Sequence, residues 1–332
     1  MHSARQKDKH VKREVTMIKR IVRYMAVLLI CILPSACQRR PLTTADYAVT
    51  LNITIDKDIV NYEYEKDPSL MRCIFYDSQS GAFITQAFLP PTGGQVSLIP
   101  AREYDVLVYN FDTESTWLEN ENWFQKIYAS TSIIPDSFRT KLRSRATKVD
   151  EEQIVYDPDH LYVGRLNDVF IPSRSVDAPP VVLDVVCQTV VESWIIEVKT
   201  VTGVKNIGSM AGVVTSLSGS NLIGPNDRSS DFVSVYFDNQ TIDSEGTLTA
   251  RFNTFGWTDK IKEAQVLFLV FTDVAGKGHV YNIDVSNQFP GNKEQIIRIQ
   301  TEIDIPEPMT SGDGGFVPKV DEWDEINTDI II

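Results

Sequence analysis

The residue best equipped for covalent chemistry is a cysteine at the end of a short apolar run. In "RYMAVLLICILPSACQRRPL" (residues 23–42), Cys37 follows Ser35 and Ala36 and precedes Gln38, Arg39 and Arg40. The uninterrupted apolar run from Met25 to Leu33 covers about half of the ~20 residues that a helix needs to cross a bilayer. It has the length of a signal-peptide h-region, with Lys19, Arg20 and Arg23 as the positive n-region and small residues at the cleavage site. Met17 is then the natural start, and residues 1–16 are a polar upstream extension outside the fold.

Ser-Ala-Cys resembles the bacterial lipobox, in which the residue after the cut is a cysteine carrying a diacylglyceryl group. Cys37 would be the lipidated N-terminus of the mature chain, followed by a linker over residues 37–46. Pro34 departs from the pattern, standing where Leu is usual, with Leu33 one place early. The competing reading, Cys37 as half of a disulfide, lacks a packed element around it. Acyl chains such as palmitate, each contributing about 0.8 kcal/mol per buried methylene, hold a protein to a membrane without a spanning helix.

Other reactive groups are sparse. After residue 36 only His160 and His279 remain, too few for most His-based triads or two-histidine zinc sites. "YDPDHLY" (156–162) gathers Asp157, Asp159 and His160, as a metal site or as a Pro-containing turn before a strand. The acidic C-terminus offers Asp313, Asp321, Glu322, Asp324 and Glu325, but not the EF-hand ladder, and reads as a solvated tail rather than a calcium loop. Trp117, Trp123, Phe124 and Tyr128 either stack on a sugar or pack an inserted flap onto the body. GxGxxG and Walker loops are absent, so the expectation is a protein without enzyme activity, metal or cofactor. Removing residues 1–36 takes eight basic and two acidic residues from totals of 32 and 45, leaving a net charge of about −19, which repels nucleic acid.

The elements that must position these residues are strands. "YAVTLNITID" (47–56) alternates Tyr47, Val49, Leu51, Ile53 and Ile55 against small and polar residues, the pattern of a half-buried strand. Similar runs recur at 71–77, 81–89, 94–100, 104–111 and 160–166. Residues 112–159 break the rhythm, with room for a short helix and then a charged loop. "IPSRSVDAPP" (171–180) interrupts the strands again, and a second series follows from "VVLDVVCQTVVESWIIEVKTV" (181–201) onward. The spacing predicts an all-β fold of two tandem antiparallel β-sandwich domains, over 47–175 and 176–306, with an acidic tail at 307–332. Cys73 and Cys187 fall in different domains on this division and are expected as buried free thiols.

The lipobox-like cysteine, the β-rich first half, the segment "VVESWIIEVKTVTGVKNIGSMAGVVTSLSG" and the acidic "DEWDEI" after a Gly-rich turn together resemble the fimbrillin-type lipoproteins of Bacteroidales, a family of minor fimbrial subunits and fimbrial anchors. The resemblance implies transthyretin-like sandwiches, lipid attachment at the outer membrane with exposure on the cell surface, a role in cell adhesion, and strand exchange with fimbrial subunits. The C-terminal segment, detached by Pro306, Pro308 and Gly312–Gly315, is a candidate donor, with Trp323, Ile326, Ile330, Ile331 and Ile332 as docking residues; equally, it packs back on its own domain. A different class of function, a glycan-binding surface lipoprotein serving outer-membrane nutrient uptake, stays open beside the fimbrial one. The lipid reading is checked directly: Cys37→Ala is expected to move the protein from the outer-membrane fraction to the soluble one, and a variant that still sediments after a salt wash contradicts it.

Overall fold

The computed structural model describes residues 47–62, 68–135, 152–173 and 179–308, together with the backbone of a strand at 327–331. Cys37, the signal segment, most of the charged loop after 135, Trp323, Ile326, Ile332 and the tail's acidic residues 313–325 lie outside the described residues. Residues 48–332 form one compact unit. Its strands, in chain order, are β1 (Tyr47–Ile55), β2 (Met71–Asp77), β3 (Phe83–Leu89), β4 (Gly93–Leu98), β5 (Arg102–Asn110), β6 (Thr116–Glu119), β7 (Tyr128–Thr131), β8 (Ile154–Tyr156), β9 (Tyr162–Ile171) and β10 (Val181–Thr189). They continue with β11 (Glu192–Val198), β12 (Val201–Thr202), β13 (Ile207–Ser218), β14 (Ser220–Leu222), β15 (Asp227–Arg228), β16 (Phe232–Phe237) and β17 (Gln240–Ile242). The last are β18 (Leu248–Thr254), β19 (Val266–Asp273), β20 (Gly278–Asp284), β21 (Ile296–Ile299), β22 (Ile303–Asp304) and β23 (Asn327–Ile331).

The all-β, two-sandwich architecture is the expected one. A seven-stranded sheet, ordered β3-β2-β5-β9-β10-β1-β4, folds over on itself, so that Val49, Leu51, Val185 and Leu98 from one end meet Met71, Phe75, Val106 and Ile171 from the other. The fold-over falls at β9 and β10, which pair only through Val163–Gln188 and Tyr162–Thr189. Strands β2 and β5 are buried on both faces: Cys73, Phe75 and Val108 enter this core, while Ile74, Tyr76, Leu107 and Tyr109 enter a second cluster behind it. Two-sided burial explains why these strands read as continuous apolar runs and not as alternating ones. In the second sandwich, the sheet β23-β20-β19-β13-β16-β8 packs on β17-β18-β11-β21, with Trp194, Ile196, Phe237, Phe252, Leu269 and Ile297 between them.

Most strand pairs are antiparallel, but β1–β10, β11–β21, β8–β16, β12–β22 and β20–β23 are parallel. Parallel pairs need long crossovers, so sequence neighbours separate and distant segments meet. The division at 175/176 is corrected accordingly. Strand β10 lies beyond it yet completes the first sheet, because Val185 and Cys187 belong to the first core; β8 lies before it yet joins the second sheet through Ile154 to Tyr156. Cys73 and Cys187 thus share one sheet instead of belonging to different domains. Both are buried free thiols whose pKa values burial pushes up to about 12, which leaves them poor nucleophiles.

The helix considered for 112–159 does not form in the described part of that stretch. Residues 116–131 make the β6–β7 hairpin, which pairs through β7 with β14 and β15 to form a small sheet behind the first sandwich. Phe124, Ile127 and Ala129 are its buried apolar residues, whereas Trp117 and Trp123 remain 58% and 46% exposed. The flap reading therefore holds for Phe124, and the two tryptophans face solvent.

The second sheet also contains a bulge at Val214–Leu217, where Ser216 adopts φ 56°. Buried Glu152 satisfies it, accepting from the Ser216 amide at 2.9 Å and from the Ser216 and Ser234 hydroxyls at 2.9 and 2.8 Å.

At the fold-over, Gly164 supports the approach of β10. A Cβ there would lie 2.4 Å from Val185 Cγ1, 2.8 Å from Cys187 Sγ and 3.1 Å from the Val186 carbonyl oxygen. Gly164→Ala is expected to cost about 1–3 kcal/mol, the usual penalty for overpacking, measured by urea unfolding. A stability equal to the unmodified chain's would contradict this packing.

Candidate functional site

The "YDPDHLY" segment is a junction between the two sandwiches. Asp159 Oδ2 accepts from the backbone amides of Glu114, Ser115 and Thr116 at 2.7, 2.5 and 3.2 Å, which ties the start of β6 to the approach to β9. His160 is buried, with Nδ1 2.9 Å from Thr189 Oγ1, Nε2 2.8 Å from Ser193 Oγ, and its ring tilted at 43° against Tyr62 with centroids 4.0 Å apart. Ser193 Oγ donates in turn to Asn253 Oδ1 at 2.7 Å, so one network links β10, β11 and β18. The serine–histidine contact has the reach of a nucleophile and its base. However, Nδ1 faces a hydroxyl where an orienting carboxylate would stand, and burial lowers the imidazole pKa to about 4, with Asp159 opposing the shift only in part. Among the described residues, no group of three His, Cys, Asp or Glu side chains is placed to hold a metal ion.

Beside this junction lies a cleft of about 980 Å³. Its walls come from the loop after β1, the β10–β11 corner, the β14–β15 hairpin, the turn after β18 and the segment before β21. Arg228 crosses it, donating to the Trp257 carbonyl at 2.7 Å and pairing with the Glu192 carboxylate. Glu192 also accepts from Trp194 Nε1 at 3.0 Å, and the Trp194 ring packs on Phe289 with centroids 4.7 Å apart. Gly256, at φ 96°, makes room for the guanidinium: a Cβ there would sit 2.6 Å from Arg228 Cζ. Asn221 also lines the cleft; it is 3% exposed, and its side-chain Oδ1 has no hydrogen-bond partner. These residues were not singled out in the sequence, where the only signal was a tryptophan near a charged or glycine neighbour, in "ESW" and "FGW".

The third feature is a sheet edge. Strand β23 adds in parallel to β20, with Val280 opposite Asn327, Ile283 opposite Ile330 and Asp284 opposite Ile331. Of the expected docking residues, Ile330 and Ile331 are therefore on this strand, and Trp323, Ile326 and Ile332 lie outside the described residues.

A family model described as "Domain of unknown function (DUF5119)" matches residues 36–238. The chain belongs to the DUF5119 family. The match takes in the whole first sheet, the β6–β7 flap and β16; the turn bearing Trp257, and β20 with β23, fall beyond it. The chain is 25% identical to "Putative fimbrium anchoring subunit Fim4B" of Bacteroides ovatus, over 90% of this chain and 95% of that one. Among solved structures it resembles a "putative adhesin" of Bacteroides ovatus, with TM-score 0.60 and 22% identity over 82% of this chain and 98% of that one, a likeness of fold. The fimbrial anchor protein Mfa2 from Porphyromonas gingivalis aligns with TM-score 0.48 and 11% identity over 76% and 88% of the two chains. The resemblance to fimbrillin-type proteins stated from the sequence agrees with the match to the fimbrium anchoring subunit.

The junction's two titrating groups in this DUF5119 protein oppose each other. Burial raises the Asp157 carboxyl from 3.8 to about 6, with backbone hydrogen bonds opposing and Asp159 and Asp238 adding to the rise. His160 takes its proton near 6.5 when unfolded but at about 4 when folded, so its contribution to stability is whole above 6.5 and is lost as pH falls towards 4. For Asp157 the burial penalty is absent below 3.8 and complete above 6. Each shift is worth about 3 kcal/mol at most, and in the unmodified chain the two largely cancel. Asp157→Asn is expected to gain stability at pH 7 and to lose it more steeply on acidification, while His160→Gln flattens or reverses the acid slope. Urea unfolding at pH 4.5, 5.5 and 7 reads both signs.

Proposed function

We propose that this protein is an anchoring or minor structural subunit of a surface fimbria, held at the outer membrane by a lipid on Cys37. The observation that carries the reading is the likeness to the fimbrium anchoring subunit of Bacteroides ovatus across nearly the full length of both chains. The family match beginning at residue 36, next to the lipobox-like cysteine, supports a mature chain that starts at Cys37. An anchor needs no reaction centre, in keeping with a junction in which His160 is hydrogen-bonded inside the body and Asp159 is held by backbone amides. What it does need is a surface that takes a neighbouring subunit.

The β20 edge supplies a physical route. An unpaired edge presents a row of N–H and C=O groups that a strand from another chain can extend. In the isolated chain that row is covered by its own β23. We take residues 316–332 as a detachable segment that covers this edge until assembly and then engages the adjoining subunit, with Trp323, Ile326, Ile330, Ile331 and Ile332 as its docking side chains. Branched side chains suit a pleated surface, and the acidic residues between them discourage self-pairing of the free tail. Deleting 316–332 is expected to leave a folded, membrane-attached protein that no longer co-purifies with its fimbrial subunit. Loss of folding would assign the tail to its own core, and retained capture would move assembly to another edge.

A further inference from the structure

We propose that the parallel pairing of β1 with β10 is a mechanical clamp, which carries tension between the N-terminus and the second sandwich with its hydrogen bonds loaded side by side. The inference rests on the anchoring reading for the direction of the load, and on the strand pairing for the clamp itself. A chain held by its N-terminus receives the pull at Tyr47, the first residue of β1. The edge proposed to take a neighbouring subunit, β20, is in the second sandwich, so the pull must cross from one sandwich to the other.

The chain itself supplies the path. Strand β10 ends at Thr189, and after Val190 and Val191 the chain enters β11, which pairs on one side with β18 over Glu192–Val198 and on the other with β21. Trp194, Ile196 and Val198 root β11 in the second core. Strand β1 is thus pulled from its N-terminal end while β10 is pulled from its C-terminal end. Because the two strands are parallel, those ends lie at opposite ends of the ladder, and the load drives one strand lengthwise past the other. All the pairs from Val49–Val181 to Ile55–Cys187 then resist together. An antiparallel pair is slightly more stable per residue, but it would bring both pulled ends to one end of the ladder, where the bonds break one after another.

Side chains lock this ladder against sliding. Val49, Leu51 and Ile53 are buried in the first core, and a slip of one residue would turn them outward and bring Thr50, Asn52 and Thr54 inward. Across the pair, Asn52 Nδ2 donates to Asp184 Oδ1 at 2.8 Å. At the far end Gln188 Nε2 donates to Asp56 Oδ2 at 3.1 Å, and the Asp56 amide to the Cys187 carbonyl at 2.9 Å. On its other flank β1 lies beside β4, where Gly93 lets the two backbones meet, since a Cβ there would collide with the Leu51 carbonyl. Among the described residues, β10 pairs with β9 only through Val163–Gln188 and Tyr162–Thr189. The β1 ladder is therefore the main tie between β10 and the first sandwich.

The test is single-molecule force spectroscopy on the mature chain carrying Cys37→Ser, with one handle at the N-terminus and the other on an introduced cysteine. Cys73 and Cys187, buried and with pKa values pushed up to about 12, stay unlabelled. Val274→Cys, exposed in the turn between β19 and β20, draws the load through β11 and shears the ladder. Val182→Cys, exposed on β10 opposite Thr50, loads β10 beside the N-terminal end of β1 and peels the ladder from there. Under the same constant load, β1 is expected to stay paired roughly tenfold longer, or more, in the shearing geometry than in the peeling one. Asn52→Ala, a surface change that removes the bond to Asp184, is expected to shorten the sheared lifetime by roughly three- to tenfold. Equal lifetimes in the two geometries overturn the clamp, as does a shorter one under shear. Fractionation of Cys37→Ala tests the anchoring reading by itself, so a clamp that fails and an anchor that fails give different results.

Discussion

Burial of β2, β5 and the start of β9 on both faces is the constraint from which the rest of the structure follows. A sheet with one apolar face can close a sandwich by folding over, and the β10-β1-β4 half does this for Cys73, Phe75, Val106 and Val108. The opposite face, with Ile74, Tyr76, Leu107, Tyr109 and Val163, would remain in water. Burying a large apolar side chain contributes about 1.5–3 kcal/mol, so the second face requires a cover. The β6–β7 flap provides Phe124 and Ile127, and residues far along the chain provide Ile223 and Phe255. The first sandwich therefore has no complete core without the second half of the chain.

That shared core fixes where polar chemistry can sit. Strand ends from both sandwiches converge beside it, and their backbone groups need partners. Asp159 answers three amides at the start of β6, and Asn110 joins the His160 carbonyl to the Tyr162 amide at 3.2 and 2.7 Å. Buried groups satisfied in this way specify one arrangement of the two sandwiches, because any slip leaves several of them unpaired at once. The cleft lies next to this rigid junction, with walls drawn from five separate segments.

Much of the fold was legible in the chain, for physical reasons that also mark where legibility ends. Strand β1 shows strict alternation because Val49, Leu51, Ile53 and Ile55 face a core while Ala48, Asn52 and Thr54 are exposed. In "NWFQKIYA" the inward residues Phe124, Ile127 and Ala129 are spaced by a tight turn running into a strand, which imitates a helical period. The proline-rich 171–180 segment looked like a domain boundary because strands stop there. The pairing of Val49 with Val181 depends on a partner more than a hundred residues away, which no local pattern records. The cleft is hidden for the same reason: Glu192, Asn221, Arg228 and Trp257 form no motif, and only the crossovers bring them together. The lipobox-like cysteine is the opposite case, because the expectation of a lipid on Cys37 rests only on its neighbours in the chain.

A contrast between two buried polar residues carries the argument from fold to function. Glu152, inside the second sandwich, meets three donors, and the strained Ser216 beside it has its carbonyl capped by Gln265 at 3.3 Å. Folding alone accounts for every bond there. Asn221 lies in β14 opposite Ala129 on one side and Arg228 on the other, and its side-chain oxygen, closed off from solvent, is left without a donor. A leucine of similar size would fill that position at no polar cost, so stability does not explain an asparagine there. Local rules are broken most often at functional or strained sites, and this one is broken beside the cleft crossed by Arg228.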